Sequence, residues 1–246
     1  LVKINIAIKE DTLKDNEVIK STIETSNSIH LIGLISDGGV HSHIDHIIAL
    51  AIIAKKQGKK VFFHIITDGR DVAPDCSSKY VKKLVDVCDE DISIATISGR
   101  YYSMDRDNRW DRVQKGHDAM AFANPKTSDD VLNYIENSYK KEIFDEFLVP
   151  SAFEGYDGFS KNDGIIFCNF RSDRMREMSS AIAYKEFSEF PKFEETLNIA
   201  TMTQYDKNLP LPIIFPKEAP KNTLAEVISK AGLNQLHTAE TEKYAH

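Results

Sequence analysis

Short apolar runs alternate with helical stretches along most of this chain, and that alternation restricts the fold more than any other feature. Strands that are buried on both faces read as unbroken apolar runs, and parallel neighbours need a crossover helix between them. The predicted strands are His30–Ile35, Val61–Ile66, Ile92–Ile97, Ile165–Phe170, Ile199–Thr203 and Gln235–Ala239. The predicted helices in the first part of the chain are about Ser42–Gln57, Ser77–Asp89, Asp107–Ala121 and Ser128–Lys141. We therefore expect an α/β fold, a three-layer sandwich with a mostly parallel sheet flanked by helices.

The 246 residues are best described as one main domain. Residues 1–27 are predicted to be a mainly helical lead-in, and residues 150–162 a loop. Near the end, Thr223 with Glu226 makes a capping box for a helix that Gly232 ends. There is no internal repeat, no low-complexity tract and no clear linker.

The composition argues against two classes of function. A formal net charge of −7 leaves no excess of basic surface for general nucleic-acid binding. The longest apolar run, around residues 47–54, is far too short to cross a bilayer, so we expect no membrane partner. Cys76, Cys88 and Cys168 are odd in number and lack CxxC spacing, which predicts free thiols and a cytoplasmic protein. The chain begins at Leu1 without a methionine, so we expect a segment of something longer.

Arginine is confined to three clusters, whereas lysine is scattered from end to end. The clusters are Arg70; then Arg100, Arg106, Arg109 and Arg112; then Arg171, Arg174 and Arg176. A guanidinium grips carboxylate or phosphate through two parallel hydrogen bonds, which a lysine cannot do. Each cluster begins where a predicted strand ends, and in a parallel sheet those ends share one edge, where ligands bind. The lysine-rich turn at Lys59 and Lys60 falls at the opposite edge.

Other groups at the same strand ends would complete such a site. His41 follows the first strand, and Asp71 follows the second, where its carboxylate could take or return a hydroxyl proton. Gly69 and Gly99 would let backbone approach a ligand or supply turn geometry. The helix opening near Ser42 could aim free amides at an anion. The pattern predicts a site for a small, multiply anionic, hydroxylated molecule.

Several of these side chains also have a structural interpretation. Arg109 and Arg112 have Asp105 and Asp111 at ion-pair spacing, which favours surface pairing on a helix. Arg176 is typical of a solvated helix residue, and Asp68 could simply shape a turn. Two histidines are interpreted as packed side chains rather than ligands: His64 and His117.

One motif points to different chemistry. The string from His41 to His46 fits HxHxDH, a zinc-binding string of metallo-β-lactamase-like hydrolases. That fold opens with antiparallel strands and needs further ligands on later loops, whereas the context here is strand, Gly-Gly and helix. A zinc hydrolase therefore stays as a minor alternative. The sequence contains no GxxxxGK[ST], GxGxxG, HExxH or GxSxG motif.

Six strings resemble cofactor-independent phosphoglycerate mutase, in that family's order and across nearly the whole chain. They are Leu34–His46, Thr67–Asp71, Ser98–Arg112, Asn169–Arg174, Thr201–Asp206 and Glu240–His246. The family is similar to alkaline phosphatases in one domain, which carries two divalent metals, expected to be manganese, and a serine that becomes phosphorylated. An inserted phosphotransferase domain grips the glycerate, and this chain resembles that inserted domain alone.

The resemblance also implies domain limits. Residues 1–27 would be the lead-in from the absent phosphatase domain, residues 28–239 the phosphotransferase (substrate-binding) domain, and residues 240–246 the start of the return to the absent domain. The chain lacks the family's serine and metal-ligand motifs, so no metal and no other cofactor is expected in this chain. Its expected partners are the phosphatase domain of the same full-length chain and the small substrates 2- and 3-phosphoglycerate.

The resemblance further implies the substrate contacts and their roles. These residues are His41, Arg70, Asp71, Arg100, Arg106, Arg171, Arg174 and Lys243. Asp71 would be the candidate for proton transfer, and Lys243 would reach phosphate at the cleft between domains. The expected function is interconversion of 3-phosphoglycerate and 2-phosphoglycerate in the complete enzyme, with this chain alone inactive. A non-catalytic binding module for small phosphorylated acids is the main alternative.

Overall fold

The computed structural model describes residues 1–217 and 222–239, and its centre is a seven-stranded sheet. The strands are β1 Ser28–Leu34, β2 Lys60–Thr67, β3 Ile92–Gly99, β4 Lys126–Thr127, β5 Ser151–Phe153, β6 Gly164–Phe167 and β7 Asn198–Thr201. Their order across the sheet is β4-β5-β3-β2-β1-β6-β7. Every pair is parallel except β3 with β5, so the sheet is mostly parallel as the sequence predicted.

Helices cover both faces of the sheet. They are α1 Val2–Lys9, α2 Glu17–Glu24, α3 Ile44–Lys56, α4 Ser77–Val85, α5 Arg100–Ser103, α6 Trp110–Phe122, α7 Val131–Tyr139 and α8 Arg176–Ala183. A further helix, α9 Leu224–Lys230, belongs to a separate unit of the chain. Alternate residues of β1 enter different cores: Leu31 packs with α1 to α4 on one face, and Ile32 packs with α6 and α8 on the other. Apolar contact on both faces explains why the strands read as continuous apolar runs. The α/β fold class is confirmed.

The order in which strands are added to the sheet reverses at β1. The chain passes from β1 to β2 and β3 on one side, whereas β6 and β7 lie on the other side. In open α/β sheets the crevice beyond the carboxyl ends of strands at such a point is the usual ligand site. The loops after β1 and β6 flank this crevice.

Two local predictions were wrong. Residues 150–162 were expected to be a loop, but Ser151–Phe153 forms β5, which pairs with the end of β3. Three residues are too short a run to be recognised by periodicity. Conversely, the strand expected at Gln235–Ala239 is absent: residues 233–239 form no regular structure, and they are exposed.

The lead-in is helical, as predicted. The chain over residues 1–27 contains α1, a 3₁₀ turn at Leu13–Asp15 and α2, and their apolar side chains Ile4, Ile19 and Ile23 join the core beneath the sheet. The Asn16 side chain caps α2 by accepting hydrogen bonds from two backbone amides. The lead-in therefore belongs to the same compact unit as the sheet, which spans Leu1–Pro216. Its assignment as a linker from another domain stays a prediction.

A second unit begins at Lys217. Its described part contains α9, where the Thr223 hydroxyl accepts from the Glu226 amide and the Glu226 carboxylate accepts from the Asn222 amide. The predicted capping interaction is thus present. Gly232 follows the helix with a φ of 72°, which glycine adopts without strain.

Over residues 1–217 and 222–239, no helix combines the length and apolar character needed to cross a bilayer. All three cysteines are free thiols.

Candidate functional site

The carboxyl ends of four parallel strands lie side by side at one edge of the sheet. Leu34 of β1 pairs with Ile66 of β2, and Thr67 of β2 pairs with Gly99 of β3. On the other side of β1, Ile32 pairs with Phe167 of β6. The loops that follow these strands therefore begin at the same edge, and they carry the predicted site residues.

Arg100 and Asp68 form a buried ion pair at this edge, with side-chain exposures of 4% and 1%. One terminal nitrogen of Arg100 donates to Asp68 Oδ1 and to Asp71 Oδ2, each at 2.7 Å. The other lies 3.1 Å from His41 Nε2. Two carboxylates compensate the burial of this guanidinium, which fixes its position.

Hydrogen bonds and burial set the charge states of Asp68 and His41. Burial alone would raise the pKa of Asp68, but donors from the Asp71 amide, the Ser36 hydroxyl and Arg100 bring it below its ordinary value. Burial, with the charge of Arg100, lowers the pKa of His41 to about 4. His41 is therefore neutral at pH 7.

Asp173 joins three elements at the crevice beside β1. Its Oδ2 accepts from Arg171 at 3.2 Å and from Arg106 at 3.4 Å, while its Oδ1 lies 3.6 Å from His41 Nδ1. The His41 carbonyl in turn accepts from the amides of Phe170 and Arg171, at 2.8 and 3.3 Å. The loop after β1 and the loop after β6 are thus connected through both backbone and side chains.

A polar cavity of about 220 Å³ opens beside this network. Its lining residues are Arg70, Arg100, Tyr101, Met104, Asp105, Asp107, Arg112, Glu146, Phe147 and Arg174. Arg174 donates to the Met104 carbonyl at 3.0 Å. Burial lowers the pKa of Arg174, and the charges of Arg106, Arg100 and Arg70 lower it further. Asp105, Asp107 and Glu146 also line the cavity, so a bound anion would relieve this repulsion beside Arg174 rather than throughout the cavity.

Two glycines admit a protein segment rather than a ligand. A side chain at Gly99 would meet the Glu146 carbonyl at 2.3 Å, and one at Gly69, where φ is 74°, would meet the Glu146 amide at 2.8 Å. The 3₁₀ turn at Asp145–Phe147 therefore packs directly on the ends of β2 and β3. This contact brings Glu146 to the cavity, where its carboxylate lies 3.3 Å from Arg70.

The arginines that were interpreted as structural differ in their surroundings. Arg112 forms the expected ion pair with Asp105, at 3.6 Å, but it also stacks on the Tyr101 ring at 3.9 Å and lines the cavity. Arg176 donates to the Tyr205 carbonyl, so it binds backbone rather than pointing only to solvent. Arg109 precedes α6 and does not line the cavity.

The structure brings together all seven predicted site residues that it describes. Asp71, Arg100 and His41 form one contact group; Arg106 and Arg171 join it through Asp173; Arg70 and Arg174 share the cavity with Arg100. The eighth, Lys243, lies outside the described residues. Their roles in binding substrate stay a prediction.

Sequence reasoning found Asp71 but missed two other carboxylates that organise the arginines, Asp68 and Asp173. Asp68 was interpreted as a turn former, and it does accept from the Arg70 and Asp71 amides, but it also pairs with Arg100. Asp173 was left out, although its place between two arginines after a strand was a usable signal. An acidic residue between clustered arginines, such as Asp173, is itself a candidate site residue.

The zinc alternative has no supporting geometry. His41 faces Arg100, the His43 side chain caps α3 through the Asp45 amide, and His46 bonds to the Asn5 side chain. Within the described ranges, no three His, Cys, Asp or Glu side chains are grouped so that they could hold a metal ion. The two histidines interpreted as packed, His64 and His117, are both buried.

Comparison with known proteins agrees with this geometry. The model of the family BPG-independent PGAM N-terminus (iPGM_N) matches residues 4–207. Two curated relatives are each named 2,3-bisphosphoglycerate-independent phosphoglycerate mutase: one from Aliarcobacter butzleri, 72% identical, and one from Sulfurimonas denitrificans, 56% identical. Each alignment covers 100% of this chain and 50% of the relative.

A solved structure agrees as well. Leishmania mexicana phosphoglycerate mutase, from crystals at low cobalt concentration, superposes with a TM-score of 0.80 at 27% identity, over 94% of this chain and 46% of the other. The chain thus spans about half the length of the relatives that it matches. From the family match and the identity to these relatives, we conclude that the chain belongs to the BPG-independent phosphoglycerate mutase N-terminal family.

Proposed function

We propose that this chain is the substrate-gripping part of a cytoplasmic enzyme that interconverts 3-phosphoglycerate and 2-phosphoglycerate. The observation that carries the proposal is the half-buried guanidinium of Arg174, which lines a polar cavity together with Arg70 and Arg100 and also feels the charge of Arg106. A dianionic phosphate or a carboxylate placed there would replace repulsion with charge-assisted hydrogen bonds. The relatives that bear the mutase name make phosphoglycerate the natural candidate for that anion.

The side chains divide into a rigid part and an adjustable part. Arg100, held by Asp68 and Asp71, is already fixed, so its guanidinium would stay in one position when the ligand arrives. Arg70 and Arg171 are about half exposed, with side-chain exposures of 53% and 50%, so each can turn towards an arriving anion. Asp71 and His41 adjoin Arg100 and would orient the glycerate hydroxyls, with Asp71 the candidate for proton transfer.

The covalent chemistry would lie in the remaining half of the full-length protein. The family resemblance places there a serine that accepts the phosphate and two divalent metal ions, expected to be manganese. Asp68, Asp71 and His41 all contact Arg100. Within residues 1–217 and 222–239, no group of His, Cys, Asp or Glu side chains could hold a metal ion. The part of this chain in the reaction is therefore to bind, orient and neutralise the glycerate while the phosphate is transferred.

The direct test replaces one arginine in the full-length protein. Arg171→Lys keeps the positive charge but removes the guanidinium, which can make two parallel hydrogen bonds to one anion. We therefore expect turnover of 3-phosphoglycerate to fall by roughly a hundredfold. Arg109→Lys is the matched control, because Arg109 stands at the start of α6 and is not among the predicted substrate contacts, and its turnover should stay within about twofold of the unmodified protein. Equal turnover by both variants would contradict the proposal.

The isolated chain provides a second test. It should bind 3-phosphoglycerate in a calorimetric titration and produce no 2-phosphoglycerate. Binding by the chain, together with an inactive full-length protein, would favour the non-catalytic binding module. Turnover by the chain alone would overturn the division of roles.

A further inference from the structure

His41 has only one proton arrangement that its buried neighbours allow. Arg100 can donate hydrogen bonds but cannot accept them, and one of its nitrogens lies 3.1 Å from His41 Nε2. A proton on Nε2 would therefore place two hydrogen-bond donors, the His41 Nε2–H and an Arg100 N–H, face to face at 3.1 Å. The neutral ring must carry its proton on Nδ1.

The Nδ1 atom then needs an acceptor, and Asp173 supplies the nearest carboxylate. Asp173 Oδ1 lies 3.6 Å from His41 Nδ1, slightly beyond a normal hydrogen bond. Both atoms are buried, and neither has a hydrogen-bond partner in the part of the chain that the structure describes. The donor on His41 and the acceptor on Asp173 are both buried and unsatisfied, and a small movement would bring them within hydrogen-bond distance.

The same carboxylate is shared with two arginines. Arg171 and Arg106 both bond to Asp173 Oδ2, and Arg171 Nε also lies 3.0 Å from Oδ1, although it makes no hydrogen bond to it. The Arg171 side chain is half exposed, whereas that of Asp173 is 19% exposed. An anion that draws the two arginines to itself would leave the Asp173 carboxylate with His41 as its remaining partner.

We propose that Asp173 is a positioning residue that fixes His41 in its neutral Nδ1–H form, and that anion binding at Arg171 and Arg106 tightens the Asp173–His41 contact. Asp173 thus acts both as a resting counter-ion for the arginines and as the group that aims the His41 ring at the ligand. The first part concerns only this chain, while the effect on catalysis rests on the proposed function. The charged groups that face His41 are Arg100, Asp71, Asp173 and Arg171.

The first experiment reads the tautomer of His41 directly. In the chain labelled with ¹⁵N-histidine, two-bond ¹H–¹⁵N spectra at pH 7 distinguish a protonated Nδ1 from a protonated Nε2, and loss of the signals in His41→Gln assigns them. We expect His41 to be protonated at Nδ1, and we expect added 3-phosphoglycerate to move the Nδ1 proton downfield. Protonation at Nε2 in the unmodified chain would overturn the inference without any variant.

Variants then separate positioning from simple structural support. In Asp173→Asn, we expect the His41 signals to change and the downfield movement on adding ligand to disappear. Asp157→Asn is the matched control, because its carboxylate is 92% exposed and pairs with Lys126 at the surface. Identical His41 signals in the unmodified chain and in Asp173→Asn would contradict the proposal. These signals do not depend on turnover, so failure of the proposed function is distinguishable.

The full-length protein gives a readout that a merely structural residue would not produce. Removing the Asp173 charge frees Arg171 and Arg106 for the ligand, so 3-phosphoglycerate should bind roughly two- to fivefold more tightly. Loss of His41 orientation should meanwhile lower kcat, by about 10- to 100-fold if the effect matches that of outer partners of metal-bound histidines. A parallel loss of affinity and kcat would contradict the inference.

Discussion

Two polar clusters, one between the central strands and one just beyond their carboxyl ends, differ in how completely their bonds are made. The interior cluster consists of His30, His64, Thr96 and Asp163. His30 Nδ1 lies 2.8 Å from His64 Nε2, His64 Nδ1 lies 2.9 Å from the Thr96 hydroxyl, and His30 Nε2 lies 3.1 Å from Asp163 Oδ2. Asp163 also accepts from the Ser28 hydroxyl and the Ser160 amide, both at 2.7 Å.

The edge cluster consists of His41, Asp68, Asp71, Arg100 and Asp173, and it is less complete. Two of its buried atoms, His41 Nδ1 and Asp173 Oδ1, have no hydrogen-bond partner, whereas no atom of the interior cluster is in that state within residues 1–217 and 222–239. The arginines around the edge cluster are partly exposed. A closed network stabilises strand pairing, and an open one keeps bonding capacity for a ligand.

The largest expected effect on stability comes from removing the centre of the edge cluster. Arg100→Met would leave Asp68 buried and Asp71 partly buried without their guanidinium partner. We expect the free energy of unfolding to fall by about 3–5 kcal/mol, as measured by urea denaturation. Arg109→Met is the control, and an equal, small loss in both variants would show that Arg100 is not the anchor of the edge cluster.

Breaking the interior cluster should affect stability but not binding. Asp163→Ala removes the acceptor for His30, Ser28 and the Ser160 amide, so we expect a loss of about 2–3 kcal/mol in the free energy of unfolding. Affinity for 3-phosphoglycerate, measured at a temperature where the variant is folded, should stay within about twofold. A large loss of affinity would mean that the two clusters are coupled, and the comparison would fail.

A pH titration tests a third polar group, Glu177 on α8, which feels the charge of Asp105 before α6. Burial, together with that charge, raises the pKa of Glu177 to about 7 from 4.5. The folded protein therefore holds a proton that the unfolded chain releases, and this contribution to stability declines as pH rises from 4.5 to 7.

Glu177→Gln should remove that decline, because the amide stays uncharged over this pH range as the protonated acid does below pH 7. At pH 8 the variant should be more stable than the unmodified protein by about 1–3 kcal/mol, and at pH 4 the two should be nearly equal. Thermal unfolding across this pH range measures the difference. Parallel pH profiles for the two proteins would contradict the assignment.

The smallest effect on stability is expected at the exposed rim of the cavity. Arg70→Lys alters an ion pair with Glu146 whose arginine is 53% exposed, so the free energy of unfolding should change by less than about 0.5 kcal/mol. Binding of 3-phosphoglycerate should nevertheless weaken severalfold, because lysine cannot make the two parallel hydrogen bonds of a guanidinium. Unchanged affinity in a titration would remove Arg70 from the proposed site.

The parts of the fold that the sequence predicted are those set by long, regular patterns. The apolar runs of β1, β2 and β3 and the helix after β1 were recognised because several residues repeat one burial pattern. The three-residue strand β5 was missed because its pairing with β3 depends on a distant segment rather than on local pattern.

The site followed the same division. Arginine clustering after strands indicated the edge, because strand direction alone brings those ends together. Pairings such as Asp173 with Arg106, or Glu146 with Arg70, join residues 67 and 76 positions apart. No local spacing rule encodes such contacts, and the close packing of the Asp145–Phe147 turn on Gly99 was equally hidden.

The central claim is that the arginines at the carboxyl edge of the sheet converge on one phosphorylated acid. Its most direct test observes the guanidinium Nε–H signals of the full-length protein while 3-phosphoglycerate is added. The account expects the signals of Arg70, Arg106, Arg171 and Arg174 to move with a single saturation curve, while those of Arg109 and Arg176 stay fixed. Movement of Arg109 and Arg176 to the same extent, or no movement of the other four, would contradict it.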